Sequence, residues 1–149
     1  MKPVFVLNGP NLNLLGLREP AIYGTATLKD VAARCHAHAA TLGLAVDFRQ
    51  SNHEGELVSW VHEARDGACG IAINAGAYTH TSVALHDALK AADLPSVELH
   101  LSNVHKREAF RHHSFLAPAV TGVICGFGVE SYVLALSALH SLVSANKKG

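Results

Sequence analysis

The sequence predicts an α/β protein in which five parallel strands form one sheet with helices on both faces. Short apolar runs of strand length alternate with longer segments whose apolar residues recur at helical spacing, from one end of the 149 residues to the other. The segments between successive strands are long enough for crossover helices, which parallel strands require. Apolar residues make up 49% of the chain, enough for one packed core. We therefore expect a single domain spanning residues 1–149.

Each strand is predicted from an apolar or β-branched run bounded by polar or small residues. The five strands are predicted at residues 2–8, 45–51, 70–74, 96–102 and 119–125. The first long helix is predicted to start at a capping box formed by Thr27 and Asp30 and to end before Gly43.

The remaining helices are predicted from apolar stripes. These stripes run from Leu57 to Ala64, from Leu85 to Ala92 and from Tyr132 to Val143. The polar segment 103–113 is predicted to be a short helix or a turn, and the tail 145–149 is predicted to be frayed.

Composition excludes several classes of partner. Twelve basic and twelve acidic residues give a formal charge of zero without any long run of one sign, which argues against nucleic acid or an anionic membrane. No apolar run is long enough to span a bilayer, and the start lacks the apolar core of a signal peptide, so we expect a cytoplasmic protein. Cys35, Cys69 and Cys125 lie in apolar surroundings, which favours buried thiols over a disulfide or a zinc site.

Ligands of such sheets bind beyond the carboxyl ends of the strands, so the residues that follow each strand are the candidates. Asn8 and Asn74 stand where a phosphoacceptor site would need carboxylates. The segment GFGVES at 126–131 resembles a dinucleotide fingerprint only in part, and a tight turn accounts for it better. His100 and the histidines after it match no metal-ligand spacing. The remaining neutral donors, an arginine, a tyrosine and a histidine suit a polyhydroxylated substrate and proton transfer without a metal or cofactor.

Five stretches carry a resemblance to a known family. They are LNGPNLNLLGLREPAIYG, QSNHEGELVSWVHEA, INAGAYTHTSVALHDAL, VELHLSNVHKREAFRHHS and TGVICGFGVESYVLAL. Together they make the chain similar to type II 3-dehydroquinate dehydratases over nearly its whole length. The resemblance implies a flavodoxin-like doubly wound five-stranded parallel sheet and a dodecamer built from four trimers. It also implies the reversible dehydration of 3-dehydroquinate to 3-dehydroshikimate, a reaction shared by aromatic biosynthesis and quinate catabolism.

The resemblance also implies a role for each matching residue. Tyr23 would be the base that removes a proton from C2 of the substrate, Arg18 would support the ionised tyrosine, and His100 would protonate the departing hydroxyl. Asn11 would hold a water that stabilises the enolate, and Glu98 would orient His100. The substrate would be bound by Asn74, His80, Leu101, Ser102 and Arg111, and by Asp87 of a neighbouring subunit.

A tyrosine base needs electrostatic help. An unperturbed phenol titrates near pH ~10, so only about 0.1% is ionised at neutral pH, and a useful base requires roughly 3–4 kcal/mol of preferential phenolate stabilisation. One guanidinium in contact can supply about 4 kcal/mol at an effective dielectric of about 20. We expect residues 16–26 to form a lid that carries Arg18 and Tyr23, with Gly16 and Gly24 as hinges.

By residue type alone, less specific interpretations stay open. Tyr23 could be an exposed loop residue, Arg18 and Glu19 a solvated charge pair, and His100 a core histidine. At the level of the whole chain, a flavodoxin-like module that binds a nucleotide or flavin and a structural oligomer with histidine-bound metal are the two alternatives. The loop after the first strand is not glycine-rich, which disfavours the nucleotide module.

Overall fold

The computed structural model describes residues 1–148 and consists of one parallel sheet between two layers of helices. The strands are β1 (Val4–Asn8), β2 (Val46–Gln50), β3 (Gly70–Asn74), β4 (Ser96–His100) and β5 (Gly122–Cys125). The helices are α1 (Pro20–Tyr23), α2 (Leu28–Thr41), α3 (Glu54–Gly67), α4 (Val83–Ala92) and α5 (Glu130–Lys148). The strand order is β2-β1-β3-β4-β5, which is the flavodoxin-like doubly wound order and confirms the predicted fold class.

The two faces of the sheet build two separate cores because successive side chains of a strand point to opposite sides. Val4 and Val6 of β1 pack with α2 and α5, whereas Phe5 and Leu7 pack with α3 and α4. The central strands β1, β3 and β4 are buried throughout, which explains the continuous apolar runs of β1 and β3. In β4, the buried residues include the polar side chains of Ser96, Glu98 and His100.

The predicted start of α2 is confirmed in detail. Thr27 Oγ1 accepts the backbone N–H of Asp30 at 3.2 Å, and the Asp30 carboxylate accepts the N–H of Thr27 at 3.0 Å. These hydrogen bonds hold the pKa of Asp30 below its usual value. Gly43 follows the helix with φ of 71°, as its predicted role as a C-terminal cap requires.

Several boundaries differ from the predictions. Strand β5 begins at Gly122 rather than at 119, because Pro118 lies within a 3-10 turn at Ala117–Ala119. By contrast, the segment 103–113 forms two 3-10 turns, at Val104–Lys106 and Ala109–Arg111, in agreement with the predicted short helix or turn. The tail predicted to be frayed continues α5 to Lys148, and its last residue, Gly149, lies outside the described residues.

The three cysteines are buried to different extents. The three cysteines form no disulfide within the described residues, and Cys35 is fully buried, which raises its pKa to about 12. Cys69 and Cys125 are only half-buried, which differs from the prediction: Cys69 lies just before β3, and Cys125 ends β5, an edge strand of the sheet. Across the part of the chain that the structure describes, no helix has the length and apolar character needed to cross a membrane.

Candidate active site

Residues from the loops that follow β1, β3 and β4 converge on one cavity at the carboxyl edge of the sheet. The predicted site residues that line it are Asn11, Arg18, Tyr23, Asn74, His80, His100, Leu101, Ser102 and Arg111. Two predicted residues do not line it: Glu98 lies behind His100, and Asp87 lies on the exposed face of α4. The fold therefore gathers nine of the predicted residues from widely separated parts of the chain, because parallel strands end at the same edge.

Two guanidinium groups lie close to Tyr23, and one of them is bonded to its hydroxyl. Nη1 of Arg107 donates a hydrogen bond to the hydroxyl oxygen of Tyr23 at 2.6 Å. The guanidinium carbons of Arg18 and Arg107 each lie 5.2 Å from the centre of the Tyr23 ring. Arg18 also forms an ion pair with Glu19 at 3.6 Å, and both side chains are about half exposed. This is the arrangement of the less specific interpretation, in which Arg18 and Glu19 are a solvated charge pair. In this lid position, Arg107 rather than Arg18 contacts the phenol oxygen.

Arg107 is the principal residue of the site that the sequence did not indicate. It lies in the polar segment 103–113, four residues before Arg111, and both side chains are largely buried, with 12% and 18% exposed. The sequence feature that could have indicated Arg107 is its spacing of four residues from Arg111. Two consecutive 3-10 turns bring both side chains to the cavity. Without the tertiary structure, this segment has the composition of an exposed polar turn.

His100 and Glu98 form a buried pair on β4. Nε2 of His100 lies 2.6 Å from Oε2 of Glu98, and the two residues are 6% and 1% exposed. They are two positions apart, so the alternation of the strand brings both side chains to the same face of the sheet. The carboxylate therefore holds the imidazole ring in one orientation.

His80 lies beside His100 and is held by the backbone. The two imidazole centroids are 6.3 Å apart, with the ring planes inclined by 15°. Nδ1 of His80 is 2.8 Å from the carbonyl oxygen of His113, and because a carbonyl only accepts, Nδ1 carries the hydrogen. Burial lowers the pKa of His80, which favours the neutral ring and leaves Nε2 available to accept a hydrogen bond.

Asn74 is oriented from beneath by a buried tyrosine. The hydroxyl of Tyr132 donates to Oδ1 of Asn8 at 2.6 Å and accepts from Nδ2 of Asn74 at 3.0 Å. Oδ1 of Asn74 accepts the backbone N–H of Gly76 at 3.3 Å. Burial raises the pKa of Tyr132, so it stays a neutral hydroxyl that sets which way the Asn74 amide faces.

The segment GFGVES at 126–131 connects the last strand to the last helix. Gly126 and Gly128 have φ of 99° and 61° and form the tight turn from β5 into α5 that the GFGVES segment predicted. A Cβ on Gly126 would lie 3.2 Å from that of Asn103, so the turn packs directly against the loop after β4. Within residues 1–148, no three His, Cys, Asp or Glu side chains converge as a metal-binding group.

The topology and the titratable side chains of the cavity define an α/β enzyme of flavodoxin-like architecture. The family model described as dehydroquinase class II matches residues 2–140. A protein from Rhizobium johnstonii named 3-dehydroquinate dehydratase is 67% identical over 141 residues, covering 95% of this chain and 97% of the relative. A protein of the same name from Sinorhizobium medicae is 63% identical over 144 residues, covering 97% of each chain.

Solved structures agree with these relatives. The crystal structure of type II dehydroquinase from Propionibacterium acnes superposes with a TM-score of 0.91 at 46% identity, covering 95% of this chain and 97% of that one. The type II dehydroquinase from Butyrivibrio crossotus gives 0.90 at 41% identity, covering 93% and 97%. This chain therefore belongs to the dehydroquinase class II family, and the identification made from the five sequence stretches is confirmed.

Proposed function

We propose that this protein catalyses the reversible dehydration of 3-dehydroquinate to 3-dehydroshikimate, with Tyr23 as the base and His100 as the acid. The activity is the one named for relatives that match 95% and 97% of this chain. The observation that best supports the proposed roles is that the Tyr23 hydroxyl, bonded to Arg107, and the His100 ring line the same cavity. A base and an acid in one cavity are what an elimination across two adjacent carbons needs.

The reaction begins with removal of a proton from C2, next to the ketone. The Tyr23 phenolate takes this proton, and the negative charge moves onto the ketone oxygen to give an enolate. The guanidinium groups of Arg107 and Arg18 stabilise the phenolate before the transfer. A water held by Asn11 stabilises the enolate oxygen; Asn11 lines the cavity and has a left-handed backbone conformation, with φ of 69°.

The second step expels the hydroxyl at C1. The protonated His100 ring donates a proton to the departing oxygen, which leaves as water while the enolate electrons form the new carbon–carbon double bond. Glu98 keeps its hydrogen bond to Nε2 of His100 and stabilises the charged ring before the transfer. No net proton is consumed, because the proton gained by Tyr23 balances the proton lost by His100.

The remaining cavity residues bind the substrate. The guanidinium of Arg111 lies at the cavity wall and suits the substrate carboxylate, and neutral His80 accepts a hydroxyl hydrogen on Nε2. The amide of Asn74 and the main chain at Leu101 and Ser102 bind the other oxygens. The lid of residues 16–26 closes over the bound substrate and excludes water.

The test of the base is Tyr23→Phe. We expect no formation of the conjugated enone from 3-dehydroquinate, measured by ultraviolet absorbance, while calorimetric binding of substrate stays close to that of the wild type. Tyr78→Phe is the matched control, because that hydroxyl bonds the Asn52 carbonyl outside the cavity. Turnover by Tyr23→Phe would remove the tyrosine from the base role, and a wild-type protein without enone formation would refute the activity itself.

A further inference from the structure

Ser114, which lies behind the Glu98–His100 pair, has a hydroxyl group with only one direction in which to donate. Its Oγ accepts the backbone N–H groups of Leu116 at 3.1 Å and of Ala117 at 3.0 Å. These two bonds use both acceptor positions of the hydroxyl. Its hydrogen is therefore left for Oε1 of Glu98, which is 2.7 Å away.

The consequence for Glu98 is that both of its oxygens act as acceptors. Oε1 receives the Ser114 hydroxyl, and Oε2 faces Nε2 of His100 at 2.6 Å. A hydrogen bond donated to a carboxylate favours its ionised form over its protonated form. An ionised Glu98 can only accept from His100, so the hydrogen of the ring must reside on Nε2. Nδ1, which has no hydrogen bond within residues 1–148, is then the nitrogen that meets the substrate.

We propose that Ser114 is a positioning residue that fixes the tautomer of His100 through Glu98, so that Nδ1 is the nitrogen that transfers the proton. This inference deepens the proposed function and rests on it for its kinetic consequence. Ser114 does not line the cavity proposed to hold the substrate; it lines a neighbouring cavity beside Glu98 and His100, and it is linked to His100 through the carboxylate. The backbone supplies the constraint, because the two amides belong to Leu116 and Ala117, where the 3-10 turn Ala117–Ala119 starts.

The direct test measures the tautomer by ¹⁵N nuclear magnetic resonance of histidine-labelled protein without substrate, with His100 assigned from a His100→Asn variant. We expect a hydrogen on Nε2 in the wild type and in Ser114→Thr, and a mixture of tautomers in Ser114→Ala. Glu98→Gln should give the opposite tautomer, because the glutamine amide keeps the Ser114 bond through its oxygen and donates its own N–H to Nε2. An unchanged tautomer in Ser114→Ala would overturn the proposal.

The kinetic test is a double-mutant cycle. Ser114→Ala should lower kcat roughly 10-fold with little change in KM, as expected for the loss of one hydrogen bond to a charged group. Ser114→Ala combined with Glu98→Gln should lose no more than Glu98→Gln alone, since both changes act on one carboxylate. Additive losses would mean that Ser114 only supports the turn, and would overturn the proposal.

Ser131→Ala is the matched control for loss of a buried hydroxyl. Ser131 is fully buried and accepts the backbone N–H of Phe127 at 3.2 Å, but it contacts neither Glu98 nor His100. This variant should lose stability without a change in kcat or in the His100 tautomer. The tautomer measurement needs no turnover, so failure of the proposed dehydratase activity would be seen separately from failure of the Ser114 proposal.

Discussion

At the residue scale, the decisive contact of the site is the hydrogen bond from Arg107 to the Tyr23 hydroxyl. Its length of 2.6 Å and the largely buried arginine side chain make it a charge-assisted bond in a place poorly screened by water. When Tyr23 ionises, this contact becomes an ion pair. Arg18 is 40% exposed and forms an ion pair with Glu19, so its charge is more strongly screened by solvent in the same lid position.

We therefore expect Arg107→Lys to lower kcat by roughly 100-fold, because losing about 3 kcal/mol of phenolate stabilisation leaves a correspondingly smaller fraction of Tyr23 ionised as the base. Lysine keeps the charge but cannot reproduce the planar donor geometry of the guanidinium. The measurement is steady-state turnover of 3-dehydroquinate, with Lys106→Ala as the control because Lys106 is exposed beside Arg107. A variant Arg107→Lys with wild-type kcat would assign the support of the phenolate to Arg18 instead.

At the scale of elements, the lid is a loop whose two ends touch. Gly16 has φ of 90°, and a Cβ at this position would lie 2.9 Å from the carbonyl oxygen of Thr25 and 3.2 Å from that of Ala26. The capping box of α2 begins one residue later, so the closing end of the lid is anchored to a helix. Between these ends the lid contains the short helix α1, which Pro20 starts because its fixed φ suits a first helical turn.

Comparison of Gly16→Ala with Gly24→Ala tests whether the contact between the two ends of the lid matters. Both glycines have positive φ, but a Cβ on Gly24 would meet nothing within 4 Å, so only Gly16→Ala adds a steric clash with the opposite end of the lid. We expect Gly16→Ala to raise KM and to speed proteolytic cleavage within residues 16–26 more than Gly24→Ala does. Equal effects would show that backbone strain alone matters and that the two ends need not touch.

At the scale of the whole molecule, the exposed face of α4 is the surface that the proposed assembly would use. Val83 is 53% exposed and lies one turn before Asp87 on the same face, so an apolar and an acidic side chain point outward together. We propose a dodecamer built from trimers in which Asp87 enters the cavity of a neighbour. A closed ring of identical subunits would then complete every site with one residue from the next chain.

Mixed oligomers test this sharing. Asp87→Asn and His100→Asn should each be nearly inactive. Refolding an equal mixture of the two variants should restore about a quarter of the wild-type activity. In a cyclic ring, about that share of the sites combines an intact His100 with an intact Asp87 from the neighbouring subunit. The activity is followed by enone absorbance and the mass of the assembly by analytical ultracentrifugation. A mixture no more active than its components would confine each site to one subunit.

Much of the fold was open to prediction from local patterns. The continuous apolar runs of β1 and β3 and the apolar stripes of α2 to α5 are present because each element must bury apolar side chains, and that requirement sets the spacing of apolar residues. The start of β5 was not predictable in the same way, since Val120 has strand character but Pro118 draws the chain before it into a turn.

By itself, the sequence determined the order of strands and helices, the capping box at Thr27, and, through its resemblance to a family, which residues gather at the carboxyl edge of the sheet. Only the tertiary structure decided that Arg107 contacts Tyr23, that Tyr132 orients Asn74, and that Ser114 contacts Glu98. These contacts join residues that are 84, 58 and 16 positions apart. Periodicity reports which face of an element is buried, whereas the partner of a polar group depends on how distant elements pack, and no local pattern contains that information.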